Sequence, residues 1–123
     1  MATILCIDDE EPVRRFFQVA LEGAGYRVLT AENGRLGLRL LEHQEVDLNF
    51  VDIFMPEMDG VELIREIRKI PEYDALPVVM VTTNSESEHL GTAMDAGANE
   101  YIQKPCTLDM LRDKLDLLGL IKP

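Results

Sequence analysis

The chain has 123 residues, 46% of them hydrophobic, which suits one domain built around a single core. Its 12 basic residues against 23 acidic ones give a formal charge of -11, and no cluster of lysine or arginine relieves it, which argues against nucleic acid as a direct partner. Only four consecutive apolar residues stand near the start, too few for a signal peptide, and no later segment approaches a membrane span. A cytoplasmic protein without membrane contact is therefore expected.

Ile4-Leu5-Cys6-Ile7 is the first apolar run, and it ends in Asp8-Asp9. From Pro12 to Ala24, residues Val13, Phe16, Phe17, Ala20 and Leu21 recur at steps of three and four, which predicts an amphipathic helix. Pro12 suits its first turn and Gly25 a position just past its end. A short strand follows over Arg27 to Ala31, then a second helix over Leu36 to His43. Leu48-Asn49-Phe50-Val51 is a third strand closed by Asp52, and Val61 to Ile70 a third helix. Val78-Val79-Met80-Val81 runs into Thr82. A fourth helix is expected over Glu86 to Ala96, stopped by Gly97. Tyr101-Ile102-Gln103 leads into Lys104, and a fifth helix spans Leu108 to Leu118 before Gly119.

Five strand–helix units joined by short connections imply a parallel sheet with helices on both faces. The first, third and fourth strands are almost unbroken apolar runs, as doubly covered strands should be. Asn49 is the exception, and an amide there needs partners or costs about 1–3 kcal/mol. By alternation it points away from Asp52, and a satisfied core amide is the expected reading. The chain ends soon after the fifth helix, so a single domain over residues 1–123 is expected, with no output domain.

Parallel strands place Asp8-Asp9, Asp52, Thr82 and Lys104 on one sheet edge, the carboxyl edge where open α/β sheets bind ligands. Three carboxylates there repel one another unless a cation joins them. Magnesium fits, because it takes oxygen ligands and favours sites completed by a phosphate. Zinc would call for histidine or thiolate, whereas His43 and His89 stand alone and read as exposed polar residues. A carboxylate can hold a phosphoryl group as an acyl phosphate. With the metal on Asp8-Asp9, Lys104 taking residual charge and Thr82 holding an oxygen, the nucleophile would be Asp52. Cys6 reads as a small buried hydrophobe. Cys106 lies near the site but has no histidine close in sequence to activate it, and two cysteines make no disulfide framework.

The segments Ile7-Asp8-Asp9-Glu10, Asp52-Ile53-Phe54-Met55-Pro56-Glu57-Met58-Asp59-Gly60, Val81-Thr82-Thr83, Ala96-Gly97-Ala98 and Tyr101-Ile102-Gln103-Lys104-Pro105 closely resemble the two-component response-regulator receiver domains. The single-domain chemotaxis regulators are of this type. Thr82 stands thirty residues beyond Asp52, and Lys104 twenty-two beyond Thr82, as in that family. The resemblance implies a flavodoxin-like, doubly wound sheet of five parallel strands in the order 2-1-3-4-5 with five helices. It implies that Asp52 accepts phosphate from a phosphohistidine of a sensor histidine kinase or a histidine phosphotransfer protein. Asp9, Asp52 and the Phe54 backbone carbonyl would bind magnesium directly, and Asp8 through a water. Thr82 and Tyr101 would form a switch pair, the Lys104-Pro105 bond would be cis, and a downstream protein would read the altered face of the fourth helix, fifth strand and fifth helix. Such a domain is a switch with only its own phosphorylation and dephosphorylation chemistry, not an enzyme acting on a separate substrate. The resemblance fits a relay intermediate as an alternative to a terminal effector.

Phe54 puts a large apolar ring at the mouth of the site, Thr83 narrows access, and Asn84 could orient a water, so these three would tune the rates. Cys106 replaces an aromatic that often follows the Lys-Pro pair. Two other classes compete. A haloacid-dehalogenase-type phosphatase usually carries a second aspartate two residues after its nucleophile, where this chain has Phe54. A flavodoxin-type or Rossmann nucleotide module needs a glycine-rich phosphate loop, where this chain has Asp8-Asp9-Glu10-Glu11.

Overall fold

A computed structural model describes residues 1–83 and 88–120. Strands β1 (Thr3–Ile7), β2 (Arg27–Ala31), β3 (Leu48–Asp52), β4 (Val78–Thr82) and β5 (Glu100–Gln103) alternate with helices α1 (Glu11–Gly23), α2 (Gly34–His43), α3 (Gly60–Arg68), α4 (Leu90–Ala96) and α5 (Leu108–Leu117). The strands form one parallel sheet in the order β2-β1-β3-β4-β5, the flavodoxin-like order that the family resemblance implied. The chain turns from β1 to β2 on one side and later returns to β3 on the other. Loops leaving β1 and β3 therefore diverge and open a crevice at their carboxyl ends.

Strands β1, β3 and β4 are buried along their whole length, whereas β2 and β5 are the edges and show polar residues. Leu5, Ile7, Val51, Ile53, Val78 and Met80 pack with Leu41 of α2, Leu63, Ile64 and Ile67 of α3 and Ala93 of α4. On the opposite face Ile4, Cys6, Phe50, Val79, Val81 and Ile102 meet Phe17 and Leu21 of α1 and Leu111 and Leu115 of α5. Each large side chain so buried contributes about 1.5–3 kcal/mol. Truncating Leu63, which is fully buried, would cost about 2–5 kcal/mol.

Apart from the start of α4, the helices begin and end where local chemistry dictates, within two residues of the periodic pattern. Helix α2 starts at Gly34, earlier than Leu36, because the Asn33 side chain accepts from Leu36 N–H at 2.9 Å and caps it. Helix α3 opens on a capping box in which Asp59 and Glu62 each accept the other's backbone N–H, and it closes at Arg68 instead of Ile70. Residues 86 and 87 of the expected fourth helix lie outside the described residues, and the α-helix is seen from Leu90. Gly97 follows it with φ of 123°, a conformation that disfavours any Cβ.

One expectation fails. Asn49 is completely buried, but neither its Oδ1 nor its Nδ2 has a hydrogen-bond partner among the described residues. The register explains this: Asn49 sits between Leu5 of β1 and Val78 of β4, whose side chains offer no polar group. It lies on the Val51 face, opposite Asp52, as alternation requires.

Candidate functional site

Asp8 and Asp52 stand at the carboxyl ends of the neighbouring strands β1 and β3, and each is 3% exposed. A turn at the end of β1 holds Asp8: its Oδ1 accepts from Glu10 N–H at 2.9 Å, and its carbonyl accepts from Arg14 Nη1 at 2.7 Å. An aspartate that bonds the backbone two residues on is a common turn device. Its own N–H donates to the Ala31 carbonyl, which extends the β1–β2 ladder by one residue. At the end of β3, Gly60 N–H donates to the Ile53 carbonyl at 2.8 Å. A Cβ on Gly60 would overlap the Asp52 carbonyl oxygen, so only glycine permits α3 to start this close to the strand. In the loop between them Glu57 holds φ of 69°, a left-handed conformation costly for a side chain.

Lys104 links the two carboxylates. Its Nζ is 2.9 Å from Asp8 Oδ2 and 3.2 Å from Asp52 Oδ1, and the lysine side chain is only 14% exposed. Burial by itself pulls the Lys104 ammonium down. The hydrogen bond to Asp8 and the charges of Asp52 and Asp8 outweigh that effect and hold it above its ordinary value. The Lys104 N–H donates to the Thr82 carbonyl at 2.6 Å, which ties the lysine to the end of β4, and the peptide before Pro105 is cis, as expected.

Thr82 is 1% exposed at the end of β4, and its hydroxyl donates to the Thr83 carbonyl at 3.1 Å. Tyr101 lies outward on the edge strand β5, 42% exposed, with Lys114 Nζ 5.4 Å from its ring centre. Lys114 also pairs with Glu100 at 2.8 Å. Thr83 is half-buried, and Asn84 lies outside the described residues. Phe54 is 46% exposed, between the buried Ile53 and Met55. The Cys6 thiol is pushed well up by burial and by the Asp8 charge. Burial raises Cys106 too, against a backbone hydrogen bond and the Lys104 charge, so neither is an activated thiol.

Carboxylate oxygens of Asp8, Asp9 and Glu10 lie within 4.8 Å of one another, and Asp8 Oδ2 also meets the Lys104 ammonium at 2.9 Å. An all-oxygen set that includes a buried carboxylate suits magnesium or calcium and not zinc. Asp9 and Glu10 are exposed and open to such an ion. Glu10, also 3.8 Å from Lys104, was not singled out from the sequence; its place directly after Asp9 in the turn was the available signal. His89 also differs from expectation. Its ring meets Phe54 at 4.9 Å between centroids and 77° between planes, so it is not a free surface histidine.

Comparison with known proteins agrees with this geometry. The family model for the response regulator receiver domain matches residues 4–116. A chemotaxis protein CheY homolog of Campylobacter jejuni is 39% identical over 119 residues, covering 94% of this chain and 92% of that protein. The KDP operon transcriptional regulatory protein KdpE of Escherichia coli is 37% identical over 115 residues, and there the match spans only 50% of its length. The structure of the chemotaxis response regulator CheY4 of Vibrio cholerae superposes with a TM-score of 0.90 at 30% identity, covering 96% of this chain and 98% of that one. Neither the phosphatase nor the nucleotide-module reading is favoured by these matches. Among the described residues no helix is long and apolar enough to cross a membrane. The chain belongs to the response regulator receiver domain family, the phosphorylation-activated switches of two-component signalling.

Proposed function

We infer that Asp52 is the phosphoacceptor of this switch, and the observation that carries the reading is the buried Lys104 ammonium between Asp8 and Asp52. An Asp52 carboxylate oxygen attacks the phosphorus of a phosphohistidine on a sensor kinase or phosphotransfer protein. The nitrogen–phosphorus bond breaks, and its electron pair stays on the imidazole. Lys104, already held beside the acceptor oxygen, takes up charge on the transferred group. Asp8, Asp9, Asp52 and the Phe54 carbonyl would hold a magnesium ion, which supplies charge neutralisation to the transfer when bound. Glu10 is close enough to the Asp8 and Asp9 oxygens to contribute.

The Thr82 hydroxyl, now turned to the Thr83 carbonyl, can rotate toward a phosphoryl oxygen. The space it leaves would accept the Tyr101 ring, which is exposed on β5 and ready to turn inward. That movement alters the surface of α4, β5 and α5, which a downstream protein would read.

The test is incorporation of phosphate from acetyl phosphate in magnesium buffer. The wild-type protein should be labelled and Asp52→Asn should not, with unchanged circular dichroism, since the amide is nearly isosteric but a poor nucleophile. Equal labelling of Asp52→Asn would show that another group is the acceptor.

A further inference from the structure

Phe54 follows Asp52 by two residues, in the loop that leaves the end of β3, and remains 46% exposed. A ring so placed covers a neighbouring oxygen only if something fixes it. His89 does so from a separate element, since it stands at the position that caps α4 while Phe54 belongs to the β3–α3 loop. Their rings meet edge to face at 4.9 Å and 77°, inside the range that aromatic pairs prefer. The imidazole has a second neighbour in the adjacent Glu88, whose Oε1 lies 3.4 Å from Nε2.

We propose that His89 is a positioning residue for the lifetime of the phosphorylated state: it braces the Phe54 ring across the approach to Asp52 and so keeps hydrolytic water from the acyl phosphate. This inference rests on Asp52 as the phosphoacceptor and goes beyond it, because it assigns a role to the residue that caps α4. Hydrolysis requires a water oxygen in line with the bond between Asp52 and phosphorus. That bond breaks with its electron pair remaining on the carboxylate, and both water protons end on the released dihydrogen phosphate. A phenyl ring offers such a water no hydrogen bond, and a braced ring leaves it little room. The same contact ties the α4 cap to the acceptor loop, so a change at Asp52 that displaces Phe54 is felt at the start of α4.

The experiment follows decay of the phosphorylated protein after removal of acetyl phosphate, for wild type, His89→Ala, His89→Phe, Phe54→Ala and the double alanine variant. His89→Ala should decay about two- to tenfold faster, the factor expected from losing one such ring pair. His89→Phe restores a ring without the imidazole nitrogens and should decay at the wild-type rate. The double variant should decay no faster than Phe54→Ala alone. Wild-type decay of His89→Ala, failure of His89→Phe to restore the lifetime, or additive effects in the double variant would each overturn the proposal. Failure of the underlying reading is seen separately, as label that persists in Asp52→Asn.

Discussion

Lys104 Nζ lies 3.2 Å from Asp52 Oδ1, a pairing of side chains 52 residues apart at the ends of two strands that do not adjoin. The same nitrogen reaches Asp8, so one buried cation compensates two buried carboxylates. Removing it leaves both charges uncompensated, a change that typically costs about 3–5 kcal/mol. Lys104→Met should therefore be strongly destabilised in metal-free buffer, and millimolar magnesium should recover part of the loss. Urea denaturation of both proteins with and without magnesium measures this. An equal deficit in the two buffers would mean that the ion does not bind at these carboxylates.

Asn49 buries an amide without partners between Leu5 and Val78. Leaving such a group unsatisfied costs about 1–3 kcal/mol, and a β-branched apolar residue suits a doubly covered strand. Asn49→Val should raise the midpoint of denaturation and leave phosphorylation by acetyl phosphate unchanged, because the side chain faces away from Asp52. A less stable variant would point to a buried water on the amide.

Arg68 joins three segments. Its Nε and Nη2 donate to the Gly97 carbonyl at 3.1 and 2.9 Å, Nη1 donates to the Tyr73 carbonyl at 2.7 Å, and Nη2 reaches Asn99 Oδ1 at 2.9 Å. The planar fork is needed to serve these acceptors together. Arg68→Ala should cost about 1.5–3 kcal/mol, and Arg68→Lys should regain only a minor part. Hydrogen exchange should quicken at Gly97 and Ala98, whose N–H groups close α4. Full rescue by lysine would show that charge alone matters.

Glu100 is held below its ordinary value, first by the hydrogen bond from Lys114, with burial opposing and the Tyr101 N–H assisting. A depressed carboxylate contributes stability above its unfolded value, about 4.3, and that contribution disappears as pH falls through the lower folded value. Wild type should exceed Lys114→Met by about 0.5–1 kcal/mol at pH 6, with the difference vanishing toward pH 3. A difference that grows on acidification would have the wrong sign for this pair.

By itself the sequence determined the alternation of strands and helices, the three doubly covered strands, and the gathering of Asp8, Asp52, Thr82 and Lys104 at one edge. These are legible because period-two and period-3.6 patterns are local, and because parallel strands with short crossovers must end on the same side. The order 2-1-3-4-5 was legible only through family resemblance, since periodicity does not say which strands pair. Tertiary structure alone decided which polar groups found partners. The register set Asn49 between two apolar side chains, and the strand order brought Lys104 to both carboxylates. The meeting of Phe54 with His89, and of Arg68 with Gly97, came from packing between separate elements. Such contacts depend on the relative placement of whole elements to within an ångström or so, and hydrophobic patterning constrains that placement only through the core it has to fill.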